Sequence, residues 1–142
     1  MTLPLKSDAS LNQEWLQKIA SAPDGMHLLV AAHDGKQLAI AQYDQGANVQ
    51  THLTLLPAKG SPSAAAVSDS GSLIAVGTEA RGADAPAQAW LINQAGAVVW
   101  TRQFPKTIVG LHFVSDGSLV IATAGAEALK VSAAGTEVWR TP

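Results

Sequence analysis

The chain has 142 residues, 47% of them hydrophobic and 14% charged, with a formal net charge of -2 and no cysteine. That length and apolar content suit one domain with a buried core. Disulfides, thiolate metal sites and a cysteine nucleophile are excluded, and with no basic field, non-specific nucleic-acid binding is not expected.

The first ten residues lack a basic stretch followed by an apolar run, so no signal peptide is expected. A cytoplasmic home follows if Met1 is native, and a periplasmic or secreted one if the chain is processed. No run approaches the ~18 apolar residues of a membrane span. Leu11, Trp15, Leu16 and Ile19 fall on one helical face, and Ser10 to Gln13 fits a capping box. A short helical or irregular lead-in is expected there, then a strand from about Gln17.

From that point one pattern is written three times. An apolar run meets an Asp turn at Ile19 to Asp24, Ala64 to Asp69 and Leu111 to Asp116. A second run follows: Leu28-Leu29-Val30-Ala31, Leu73-Ile74-Ala75-Val76 and Leu119-Val120-Ile121-Ala122. A third run leads to Gly46, Gly96 and Gly135, each followed three residues later by Val49, Val99 or Val138. Gln50, Trp100 and Trp139 come next. The Asp anchors stand 45 and 47 residues apart, the period of a four-stranded propeller blade. Asp24-Gly25, Asp34-Gly35 and Asp116-Gly117 are hairpin signals, because glycine supplies positive φ and aspartate tolerates it. The fold class read from this is all-β, with three four-stranded antiparallel blades at about 15–56, 62–104 and 107–141. Prolines at 57, 62 and 105 mark the linkers. Residues 79–86 lengthen the middle connection of blade two.

These units resemble the blades of WD-repeat and PQQ-like β-propellers. Ala-Pro-Asp-Gly at 22–25 and Val-Ser-Asp-Gly at 114–117 look like the Ser-Pro-Asp-Gly turn of WD-repeat blades. Gly96-x-x-x-Trp100 and Gly135-x-x-x-Trp139 look like the end of PQQ-like blades. The resemblance implies that each indole docks against the neighbouring blade. No Gly-His or Trp-Asp dipeptide occurs, and Gln50 replaces the indole in blade one. The quinone-dependent activity of PQQ-like enzymes needs eight blades, usually a vicinal cysteine pair, and a calcium site, so neither it nor its cofactor is carried over.

Three blades do not close a ring, since propellers have about four to eight. An open arc leaves apolar flanks on blades one and three and unpaired edges. Closure by a second copy into a six-bladed ring, a homodimer, is the expectation; the alternative is that the chain is one piece of a larger propeller, its other blades on another propeller subunit or elsewhere in a longer chain.

Chemistry-bearing residues are sparse. His27, His33, His52 and His112 show no metal-ligand spacing. His33 is read as part of a hairpin turn. Ser68-Asp69 and Ser115-Asp116 recur because each blade turns there, without the histidine and oxyanion hole of a hydrolase. Trp100 and Trp139 are expected to be buried in blade packing. Trp90 is expected to be exposed, beside the insertion. Propeller functions sit in connections held by rigid blades. The candidate partner-binding residues are therefore His33, Lys59, Arg81, Asp84, Trp90 and Lys106. A non-enzymatic protein-interaction scaffold is the function read from this. The alternative is a short-propeller lectin, with indoles stacking on glycans. A hydrolase or lyase at the channel mouth ranks last, because no acid, base and nucleophile recur together.

Overall fold

A computed structural model of the chain describes residues 16–21, 27–33, 37–44, 49–68 and 72–141; at 16–21, 27–28 and 49–52 it describes the backbone alone. The described residues form twelve strands in three antiparallel sheets. Blade one holds β1 (Leu16–Ser21), β2 (His27–His33), β3 (Gln37–Asp44) and β4 (Val49–Pro57). Blade two holds β5 (Pro62–Val67), β6 (Leu73–Thr78), β7 (Ala87–Asn93) and β8 (Val98–Phe104). Blade three holds β9 (Ile108–Phe113), β10 (Leu119–Thr123), β11 (Ala128–Val131) and β12 (Glu137–Thr141). Each sheet is a meander in which consecutive strands pair. The lead-in before Leu16, the Asp24 and Asp34 turns and Gly46 lie outside the described residues.

The blades pack face to face, large side chains against small. Ala75, Ala87 and Ala89 of blade two form one buried cluster with Ile108, Leu119, Ile121, Leu129 and Val131 of blade three. At Gly77 the approach is closest: a Cβ there would lie 2.6 Å from Ile108 Cγ2. On the other side of blade two, Ile74, Val76, Trp90 and Ile92 meet Leu29, Ala31, Leu38 and Ile40 of blade one.

This arrangement corrects the alignment of the second strands. His27 pairs with Asp44 as Leu73 pairs with Asn93. Leu29 therefore matches Ala75, and Val30 matches Val76. Matching Leu28-Leu29-Val30-Ala31 to Leu73-Ile74-Ala75-Val76 is one residue out, and a slip of one exchanges the two faces of a strand. Blade one thus offers large residues to blade two, where blade two offers alanines to blade three.

One flank of the arc differs from expectation and the other agrees with it. On the face of blade one turned away from blade two, Val30, Ala32, Ala39, Ala41 and Tyr43 form a third buried cluster, each 3% exposed or less. Blade three's outer flank is open: Val120, Ala122 and Ala128 are half-buried and Trp139 is 42% exposed.

Four hairpins share one turn. Gly96, Gly117, Ala126 and Gly135 each donate a backbone hydrogen bond to the residue three earlier: Asn93, Val114, Thr123 and Ser132. Each of those residues in turn bonds the carbonyl four positions on. The last position of the turn needs positive φ, which glycine adopts without strain. Three turns have glycine there, at φ 85°, 85° and 93°. The fourth has Ala126 at φ 64°, with Gly125 one place too early. Ala126→Gly should raise the unfolding free energy by about 0.5–1 kcal/mol. Urea denaturation of the two proteins checks this.

Candidate functional site

Strand direction gathers the linkers and the insertion at one end of the blades. Pro62 pairs with Thr78, Ala87 with Phe104, and Gln37 with Pro57. The 58–61 linker, the 79–86 insertion and the 105–107 linker therefore emerge side by side. The insertion folds back on itself through Arg81 N to Ala85 O at 2.8 Å and Ala85 N to Gly82 O at 3.1 Å.

Four of the candidate residues meet at this end. Lys59 Nζ donates to the backbone oxygen of Asp84 at 2.8 Å, tying the first linker to the insertion. Arg81 donates to Glu79 Oε1 at 2.6 Å and to Ser61 Oγ at 3.2 Å. Glu79 N donates to Ser61 O at 3.0 Å, and Ala80 N to Thr107 Oγ1 at 2.9 Å. The insertion is thus held at its root by both linkers and exposed at 81–84. A cleft of about 530 Å³ lies on its blade-one side, lined by Lys59, Asp84, Pro86, Gln88 and Gln103. A second, of about 580 Å³, lies on the other, lined by Gly82, Pro86, Gln103 and Lys106. Ammonium, carboxamide and carbonyl groups beside proline and alanine make a surface that can hydrogen-bond an extended polypeptide. Among the described residues no group of three or more His, Asp or Glu could hold a metal.

Two candidates are placed otherwise than expected. His33 closes β2 rather than lying in a turn, and it is 7% exposed. Its Nε2 stands 2.6 Å from Ala58 O, so the ring fastens blade one to the linker. Trp90 is 4% exposed in the core between blades one and two. The even positions of β7 face that core, and closeness to the insertion in sequence does not bring the indole out. Sequence reasoning passed over Gln88 and Gln103, which pair across β7 and β8 under the insertion. Alternation within those strands was the available signal.

The two repeat-register indoles also part company. A Cβ at Gly135 would lie 3.3 Å from Trp100 Cγ, so Trp100 of blade two lies over the turn of blade three. Its Nε1 is buried without a hydrogen-bond partner, which marks the contact as one of shape. Trp139 was expected to be buried too. It is 42% exposed, with no other blade among the described residues standing against it. At the first interface, Thr54 Oγ1 reaches Gly96 O at 2.9 Å, a contact from an outer strand to the next blade's glycine turn.

Charge is local. Hydrogen bonds from Ser118, then Lys130 at 3.4 Å, hold the Asp116 carboxyl below the usual carboxylate range. Hydrogen bonding from Arg140 does the same for Glu137, which also lies 3.3 Å from Arg102 of blade two.

No family model matches the chain, and no curated protein does either. Solved structures do. The Dos1 propeller superposes with a TM-score of 0.74 at 9% identity over 88% of this chain and 33% of that one. The WD40 repeats of RRP9 give 0.70 at 15% identity over 91% and 39%. BamB from Moraxella catarrhalis gives 0.63 at 16% identity over 87% and 35%. Both the WD-repeat and the BamB likenesses agree with the resemblance read from the turns. The fold is that of β-propeller blades. The chain spans 33% to 39% of the length of these structures, consistent with part of a propeller.

Lys59→Ala should leave stability nearly unchanged, because the bond is exposed. It should speed amide exchange at Arg81 and Ala85, read by hydrogen exchange. Asp116→Asn should flatten the acid limb of the stability curve. The lowered carboxyl contributes stability that is present above its ordinary range and lost as pH falls through it. Urea midpoints followed from neutral pH down to acid check the sign.

Proposed function

We propose that this chain is a non-enzymatic propeller module that mediates protein–protein interaction within an assembly of more than one polypeptide. The open flank of blade three is the observation that carries the reading. A propeller face with half-buried alanine and valine and an exposed tryptophan calls for cover. The additional blades come from a second copy of the chain, from another propeller subunit or from the remainder of a longer polypeptide. The face with the insertion, Lys59, Arg81, Asp84 and Lys106 is then presented to a protein partner, because rigid blades hold variable connections in a fixed place.

A lectin with sites repeated between blades is less well supported. It requires exposed indoles at equivalent places, whereas Trp90 is buried and Trp100 covers Gly135.

Light scattering on a sizing column, across a range of concentrations, reads the assembly. A mass of twice the chain is expected if the second polypeptide is another copy. A monomer that forms a stoichiometric complex with a distinct propeller subunit is expected if it is not. A monomer that takes no protein partner and binds glycans instead would remove the proposal.

A further inference from the structure

We infer that Lys106 anchors a carboxylate carried on an extended, acidic segment of a protein partner, and that Gly125 positions the Lys106 side chain for it. The inference rests on the interaction reading above and names the chemistry of the segment that this end of the blades takes.

The hairpin between β10 and β11 breaks a rule that the other three turns keep. Its left-handed position holds Ala126 at φ 64°, a conformation that strains an L residue. Glycine stands one place earlier, at 125, where the backbone has no positive φ to accommodate. Space explains it. A Cβ on Gly125 would lie 3.1 Å from Lys106 Cγ and 3.8 Å from Lys106 Cβ. The lysine stem therefore lies across the turn where a side chain would otherwise stand. Ala124 N donates to Thr107 O at 2.8 Å, so turn and linker are fixed to each other beside that contact. Local rules of this kind are broken where a site is held in place at a cost in stability.

What is held in place here is Lys106, which lines the cleft of about 580 Å³ with Gly82, Pro86, Gln103 and Pro105. Among the described residues its ammonium has no hydrogen bond or ion pair, and no Asp or Glu lines the cleft. The other two cations of this end are engaged: Lys59 by Asp84 O, and Arg81 by Glu79 and Ser61. An unspent positive charge in a cleft without acids is complementary to an anion. The shape of the surface argues that the anion belongs to a chain. Pro86 and Gln103 line both this cleft and the one that holds Lys59, so one surface continues from Lys106 to Lys59. Gln88 stands opposite Gln103 across β7 and β8. Each carboxamide offers a donor and an acceptor, the two groups that a peptide unit presents. A small anion would use Lys106 and leave the carboxamides to water, whereas an extended acidic polypeptide uses both.

The probe is a labelled peptide alternating serine and glutamate, compared with its serine–glutamine counterpart by fluorescence anisotropy on the full chain at low ionic strength. Tighter binding of the glutamate peptide by about fivefold is expected, the upper end for an exposed ion pair. Lys106→Gln should abolish that preference, and Lys59→Gln should leave it. Exchanging the turn residues, Gly125→Ala with Ala126→Gly, should raise the urea midpoint and reduce the preference together, which a glycine serving only the turn would not do. No preference in the unsubstituted chain overturns the inference. Equal loss with Lys59→Gln overturns it by reducing the effect to net charge. Equal competition by free glutamate overturns it by assigning the cleft to a small anion. An exchange that keeps the preference, whatever it does to the midpoint, overturns the role of Gly125. Failure of the interaction reading looks different: the preference and its dependence on Lys106 are intact, yet light scattering finds no protein partner.

Discussion

Large side chains seated on a face of small ones hold these blades together, and the tightest point is Ile108 over Gly77. Truncating a buried isoleucine to alanine costs roughly 2–5 kcal/mol. The polar links between blades, such as Ser63 Oγ to Ile108 O at 2.5 Å and Thr54 Oγ1 to Gly96 O at 2.9 Å, contribute about 0.5–1.5 kcal/mol each. Packing therefore supplies the affinity of blade for blade, and the hydrogen bonds set their rotation. A β-sheet has two faces, so every internal blade must solve this fit twice. Blade two does so with alanines and Gly77 on one side and with Ile74, Val76, Trp90 and Ile92 on the other.

That fit places the loops. Once the sheets stand face to face, the linkers and the insertion of residues 79–86 leave the blades at one end. The root of the insertion is pinned by Ser61 and Thr107, residues that precede the inner strands. Its tip is left to solvent. A surface built this way is anchored where it joins the blades and exposed at its tip. Another chain laid along this end would find lysines and carboxamides in hydrogen-bonding reach.

Reading the chain alone placed four residues correctly in connections and misplaced two indoles. Lys59, Arg81, Asp84 and Lys106 were accessible to reasoning because each lies in a break of the strand pattern, and breaks go to the surface. Trp90, Trp139 and His33 were not, for one shared reason. Their exposure depends on whether another blade or linker stands against them. Trp100 and Trp139 occupy the same register in identical motifs, yet one is covered and one is open. Local sequence holds no record of a neighbour that comes from elsewhere.

The sequence by itself determined the strand count, the meander order and the turns, since these depend on interactions between residues close along the chain. Glycine at the left-handed position of three hairpins and alternation between them were sufficient. Tertiary structure alone decided which face of each strand became core. A shift of one residue between β2 and β6 exchanges the faces, and only the packing of Leu29 and Ile40 on blade two selects the register. It decided, too, that Val30 and Tyr43 of blade one are buried while Trp139 of blade three is exposed, because burial is a property of the pair of surfaces and not of either one.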